Sequence, residues 1–146
     1  MAARFPAADI SRMMEHVRAM GAPFGITFVD RPLLSNSRRA LQAAEFARDQ
    51  GRFAPFHQAL FAAYFSHGLD IGSLQVLSQL ASDCGLDPDA LERAVQDGVY
   101  LPRLAQAQEE ATRLGVTGVP AFFVQGRKKI IGAQPLDVFR RTLASR

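Results

Sequence analysis

Gly115-Val116-Thr117-Gly118-Val119-Pro120-Ala121-Phe122-Phe123-Val124 is the stretch on which the fold turns, and it runs on through a basic turn at Gly126 into Ile130-Ile131-Gly132-Ala133-Gln134. A helix is expected to stop at Gly115. A tight, glycine-bearing connection then delivers Val119-Pro120 into an apolar run that reads as a buried strand. Proline at the first residue of a strand costs no ladder hydrogen bond, because a missing N–H is tolerated at strand entry. An X-Pro bond in a folded protein is cis in about one case in twenty. The residues alone therefore leave Val119-Pro120 open between cis and trans.

The chain has 146 residues, of which 48% are hydrophobic and 21% charged. That is enough for one domain, 1–146, and too short for two of ordinary size. Its apolar runs fall far short of the length that spans a bilayer. The N-terminal MAARFPAADISRMMEH has no apolar core of signal length. A single cysteine, Cys84, allows no internal disulfide and suits a reducing compartment, so a cytoplasmic location is expected. The formal charge is +3, and the basic residues are scattered, with clusters only at Arg38-Arg39, Arg127-Lys128-Lys129 and Arg140-Arg141. Nucleic-acid binding needs a concentrated basic face, often with stacking aromatics. Neither nucleic acid nor membrane is expected as a partner.

Single glycines and prolines punctuate the rest of the chain. Residues 8–20 carry Ile10, Met13, Met14 and Val17 at helical spacing, with Gly21 as the stop. Residues 24–30, FGITFVD, are β-branched and aromatic and read as extended. Asn36 is placed to cap a helix over 37–50, with Leu41, Ala44 and Ala47 on one side and Gly51 at its end. Residues 53–66 form a strongly apolar helix, with Pro55 in its first turn and Gly68 near its end. Ser73 is placed to cap a helix to Cys84, ended by Gly85. Asp87-Pro88 pairs an N-cap with a first-turn proline and starts a helix to about Asp97. A further helix over 102–114 carries Leu104, Ala107, Ala111 and Leu114. Residues 121–125 and 129–133 then read as two strands, and Pro135 opens a last helix carrying Leu136, Phe139 and Leu143.

The run Gly-Val-x-Gly-Val-Pro-x-Phe-Phe-Val, followed by a hairpin and Gly-Ala-Gln-Pro, resembles the C-terminal part of the DsbA family of thioredoxin-fold proteins, with the FrnE-type cytosolic disulfide oxidoreductases as the closest branch. The resemblance implies an α/β, predominantly helical chain. It implies a partial thioredoxin-like (DsbA-like) fold, with a large helical subdomain and a C-terminal β-hairpin plus helix. Residues 8–114 then correspond to the family's helical insertion. Residues 115–145 correspond to the closing half of its thioredoxin domain. The opening half, with two parallel strands and a Cys-x-x-Cys, has no counterpart here. A late start of the sequence or a naturally shortened protein would each account for that.

A two-stranded hairpin is marginal alone and needs more strands or packing helices. Ala121 to Val124 is apolar at every position, which suits a strand covered on both faces. An unpaired apolar edge invites association. Residues 24–30, or a second subunit, are therefore expected to cover the open edge of strand 121–125.

The resemblance implies a cis bond at Val119-Pro120. It also implies that the backbone there, with Gly118, pairs with an extended substrate segment, as in strand-addition binding. The substrate-binding candidates are thus Gly118, Val119 and Pro120, with an extended polypeptide or thiol substrate as partner. No catalytic residue is assigned. Dithiol–disulfide exchange needs an attacking thiolate and a resolving sulfur, and one cysteine cannot close that cycle within a monomer. Cys84 lies near a helix C-terminus beside Asp83 and Ser82, where nothing favours the thiolate, and reads as a small buried hydrophobe. His16, His57 and His67 lack the i, i+4 pairing of helical zinc sites, and no metal is assigned. Glu109-Glu110 is no catalytic dyad, since adjacent helical residues do not face each other. Arg127-Lys128-Lys129 reads as a solvated turn, with binding of an acidic peptide or a glutathione carboxylate as the alternative. Phe53, Phe56, Leu60, Phe61, Tyr64 and Phe65 read as core.

Three functions are weighed. The first is a DsbA/FrnE-like oxidoreductase family member that keeps the docking strand but lacks the redox pair, and so is inactive as these 146 residues. The second is a relative of 2-hydroxychromene-2-carboxylate isomerase and kappa-class glutathione transferase, with glutathione as its ligand. The third is a non-catalytic peptide-binding or oligomerisation module, which includes a homo-oligomer through the sheet edge. No cofactor is expected in the first reading.

Overall fold

Helix-period patterning sets nearly all of the regular structure. A computed structural model describes residues 7–30, 35–124 and 128–144. The described elements are α1 (Ala7–Gly21), α2 (Arg38–Asp49), α3 (Phe53–Phe61), α4 (Leu74–Asp83), α5 (Pro88–Gln96), α6 (Leu101–Arg113), β1 (Ala121–Val124), β2 (Lys128–Ile131) and α7 (Leu136–Ala144). They fall into two compact units, Met1–Leu101 and Pro102–Arg146, each taken by itself below. The division falls at the start of α6, whereas the change of texture in the sequence comes at Gly115.

The first unit is built around small residues. Ala40, Ala43, Ala44 and Ala47 repeat at i, i+3, i+4 and i+7 along α2 and are all buried. This face differs from the Leu41–Ala44–Ala47 stripe expected from the sequence, because Leu41 is exposed. With only methyl groups to accommodate, α2 packs closely on α3 and α5. Phe56, Leu77 and Leu91 fill the space between these helices and are the largest fully buried side chains. Burying each completely contributes roughly 1.5–3 kcal/mol.

The apolar stretch expected as one helix over 53–66 divides its residues. Phe56 and Leu60 enter the core, whereas Phe53, His57, Phe61 and Phe65 stack along another face. After Phe61 the backbone widens into a π-turn over Ala62–Ser66, closed by His67 N–H donating to Ala62 O at 3.0 Å and Leu69 N–H to Ala63 O at 2.8 Å.

Residues 24–30 correct the sequence reading. Ala22–Phe24 forms a 3₁₀ turn, and residues 25–30 form no strand. Three main-chain groups of 27–29 are bonded within the unit. Val29 N–H donates to Phe65 O at 3.0 Å, Ser66 Oγ donates to Thr27 O at 2.7 Å, and Arg18 Nε donates to Phe28 O at 3.1 Å. Arg18 also pairs with Asp30. The segment therefore braces the ends of α1 and α3 and adds no strand to a sheet. Its tight return also explains Gly21, where a Cβ would lie 2.6 Å from the Phe28 ring.

The second unit holds α6, the antiparallel β1–β2 hairpin and α7. The register pairs Ala121 with Ile131, Phe122 with Ile130, Phe123 with Lys129 and Val124 with Lys128. Side chains alternate across the hairpin. On one face Phe122 meets Phe139 of α7 edge-on, with ring centroids 4.9 Å apart. Ile130, on that face, is buried. Leu136 and Leu143 of α7 are exposed, so of the three apolar residues expected on the last helix only Phe139 packs on the sheet.

Helix starts test the local assignments. Asp87 Oδ1 accepts from Asp89 N–H at 2.9 Å and from Ala90 N–H at 3.1 Å, a complete N-cap. Ser73 occupies the N-cap of α4 with extended backbone but makes no side-chain cap bond. At α2 the assigned N-cap is Ser37, also without a side-chain bond, and Asn36 Oδ1 accepts from Arg38 N–H at 3.0 Å in its place. In urea denaturation, Asp87→Ala is expected to lower stability by about 1 kcal/mol. Ser73→Ala is expected to change it by less than about 0.5 kcal/mol. Equal losses would contradict this difference between the caps.

Candidate functional site

The site begins where α6 ends. Gly115 takes φ +64, a left-handed conformation that a side chain would strain. Its N–H donates to Thr112 O at 2.9 Å and Val116 N–H to Ala111 O at 2.9 Å, which satisfies two orphan carbonyls and turns the chain sharply. Lys129 Nζ donates to Gly115 O and stands 5.7 Å from the Phe123 ring centroid. The lysine thus ties the turn to the hairpin, and of the basic run only this side chain is described.

From that turn the chain emerges as Thr117-Gly118-Val119-Pro120, all exposed. The Val119-Pro120 peptide bond is cis. Val119 is 88% exposed. A Cβ placed on Gly118 would meet nothing within 4 Å, so nothing in the described structure crowds this residue.

Hydrogen-bond parity assigns each main-chain group of β1 to an edge. Gly132 N–H donates to Pro120 O at 2.8 Å, which makes 120 and 132 a hydrogen-bonded pair. In an antiparallel ladder such pairs alternate with pairs that exchange no bonds. Phe122 and Val124 therefore direct their N–H and C=O groups to β2. Ala121 and Phe123 direct theirs away from it. The sheet has two strands among the described residues, and no described strand pairs with that outer edge.

The strand is also less covered than its composition implies. Phe122 is 41% exposed and Phe123 42% exposed, which corrects the expectation of a strand covered on both faces. An all-apolar run fits two covered faces, but coverage depends on what lies alongside. Here α7 supplies Phe139 to one face, and Phe123 and Ile131 on the other remain open. Residues 24–30, one of the two coverings expected for that edge, form no strand among the described residues.

The remaining candidates lie elsewhere. Cys84 is a half-buried free thiol at the C-cap of α4, packed against the core of the first unit. Burial pushes its pKa up, the Asp83 carboxylate adds to that, and Arg52, which sequence neighbours did not reveal, acts the other way as the smaller influence. Its thiolate is disfavoured, as the sequence implied. His57 stacks between Phe53 and Phe61 at 4.9 and 4.7 Å, an arrangement signalled only by the 53, 57, 61 and 65 spacing. Glu110 pairs with Arg113 at 3.6 Å on the surface of α6. Among the described residues, no helix is long and apolar enough to cross a membrane.

Comparison with known proteins agrees with this architecture. The family model of the DSBA-like thioredoxin domain matches residues 4–144. The protein YwbO of Bacillus subtilis (strain 168) is 31% identical over 109 residues, 72% of this chain and 52% of YwbO. The crystal structure of the probable DsbA oxidoreductase SCO1869 from Streptomyces coelicolor superposes with a TM-score of 0.84 at 24% identity, over 95% of this chain and 61% of that one. A 2-hydroxychromene-2-carboxylate isomerase superposes with a TM-score of 0.82 at 18% identity, over 93% of this chain and 66% of that one. At these identities the two structures bear on the fold alone. The chain spans about half the length of YwbO. With the family match running from residue 4 to residue 144, the chain belongs to the DSBA-like thioredoxin domain family.

Proposed function

We propose that the open edge of β1, from Val119 to Phe123, docks an extended polypeptide or thiol-bearing substrate through main-chain hydrogen bonds. The observation that carries this reading is the parity of β1. The N–H and C=O groups of Ala121 and Phe123 face away from β2, and Gly118, Val119 and Pro120, which lead into the strand, are exposed. Main-chain pairing of this kind gives affinity with little dependence on sequence. The exposed rings of Phe122 and Phe123 add apolar surface beside the edge. Membership in the DSBA-like family supports the reading. A reducing location, the cytoplasm, suits a chain with one cysteine.

The same 146 residues carry no dithiol–disulfide turnover of their own in this account. The exchange needs two sulfurs, a thiolate and a resolving partner, and Cys84 is single. Its raised pKa further disfavours attack. A glutathione site in the manner of the isomerase branch is the competing reading, and a second copy of this chain is the competing occupant of the edge.

Titration calorimetry with a reduced, carboxymethylated unfolded polypeptide is expected to show binding. Ala121→Pro removes one outward N–H without touching the β2 ladder. It is expected to weaken binding about tenfold, the effect of about one hydrogen bond, with the circular dichroism spectrum unchanged. Heat from glutathione with none from the polypeptide would overturn the reading. Self-association that Ala121→Pro abolishes, without polypeptide binding, would assign the edge to a second copy.

Insulin reduction by the chain is expected to stay at the uncatalysed rate. Iodoacetamide labelling of Cys84 is expected to be slower than that of a free cysteine at pH 8. Its rate should still be rising where a free cysteine has levelled off, because the raised pKa moves thiolate formation to higher pH. Fast labelling at neutral pH would contradict this account of the thiol.

A further inference from the structure

The segment that leads into β1 is held at both ends by β2 and the residue that follows it. At the strand end Gly132 N–H donates to Pro120 O at 2.8 Å. At the helix end Lys129 Nζ donates to Gly115 O. Thr117, Gly118 and Val119, between these anchors, are exposed. Gly118 has open space where a Cβ would stand, and a glycine has more backbone freedom to lose than any other residue.

A cation suits the place where Lys129 ends. The C-terminal end of a helix carries partial negative charge and attracts lysine. Here α6 ends at Arg113, and the bonds of Gly115 and Val116 take Thr112 O and Ala111 O. Gly115 O lies just beyond these carbonyls. Lys129 is 14 residues away in the chain, so the contact is tertiary and no part of the turn itself.

The same side chain is also placed along its path. The register sets Lys129 opposite Phe123, in a pair that exchanges no main-chain bonds and so brings its side chains close. Nζ stands 5.7 Å from the Phe123 ring centroid, within reach of a cation–π contact. Phe123 is one of the residues whose N–H and C=O face away from β2. Lys129 thus touches both the turn that precedes the open edge and a ring that stands beside it.

We propose that Lys129 is a positioning residue for the β1 edge. Its ammonium holds the Gly115 end of the exposed segment where an extended chain can enter the edge, and does not itself touch that chain. Without the ammonium, ordering the segment falls to the docking chain, and that cost is subtracted from its affinity. This inference rests on the docking reading of the edge given above.

The test combines calorimetry with the reduced, carboxymethylated polypeptide and amide exchange in the free protein. Lys129→Met keeps most of the aliphatic stem and loses the donor. It is expected to bind about threefold more weakly, the low end of one hydrogen bond, because the turn keeps its bonds to Thr112 and Ala111. In the free variant the Val116 amide is expected to exchange faster, while Phe122 and Val124 keep their protection. Lys129→Arg restores a cationic donor and is expected to recover both properties. Unchanged binding or unchanged Val116 exchange in Lys129→Met would overturn the proposal and leave the docking reading standing. So would losses that Lys129→Arg does not recover. Loss of protection at Phe122 and Val124 would also overturn it, since the lysine would then serve the hairpin's own stability. No binding by the unaltered protein would instead remove the docking reading, and this inference with it.

Discussion

An antiparallel strand satisfies half of its main-chain groups on each side, and β1 of this protein has a described partner on one side only. Parity is the constraint behind that statement. Once Pro120 O accepts from Gly132 N–H, the groups of Phe122 and Val124 belong to β2, and those of Ala121 and Phe123 face outward. An unpaired edge is a template for a further strand. The exposed Phe122 and Phe123 make this edge adhesive as well as open. The account of function rests on that combination. The Gly115 turn and its Lys129 tether matter because they set where β1 begins.

The first unit is stable for a different reason. The alanines of α2 let α3 and α5 approach closely, and Phe56, Leu77 and Leu91 are fully sealed between them. Interiors of this kind are close-packed, so single methylene changes are felt. In the second unit, by contrast, no residue of α6 or α7 is buried among those described. The first unit seals a core of its own, although Phe24, Leu41 and Phe61 remain exposed on it. In the second unit Leu114, Phe123, Ile131, Leu136 and Leu143 remain exposed.

Much of this was legible in the residues. Glycine stops at 51, 85 and 115 and the Asp87-Pro88 start placed helices to within a residue or two, because caps and breakers act locally. The hairpin was legible from two short apolar runs around Gly126-Arg127-Lys128. The failures were tertiary. Residues 24–30 have strand composition, but Val29 N–H, Thr27 O and Phe28 O are taken by Phe65, Ser66 and Arg18, none of which a local pattern reveals. The uniform apolarity of 121–124 implied two covered faces, yet exposure depends on what lies alongside. The phase of α2 was missed because Leu41 outweighs its alanine neighbours on any hydrophobicity scale while the core selects for small size. The burial of Gln42 carried no signal at all, since an isolated glutamine in a helix reads as surface.

The central claim is that the outer edge of β1 is open in the free protein and closes when a chain docks. Amide hydrogen exchange measured residue by residue tests it most directly. In the free monomer, Ala121 and Phe123 should exchange much faster than Phe122 and Val124. On saturation with an extended polypeptide, Ala121 and Phe123 should become protected while Phe122 and Val124 change little. Protection of Ala121 and Phe123 in the free monomer, or its absence in the saturated complex, would contradict the account.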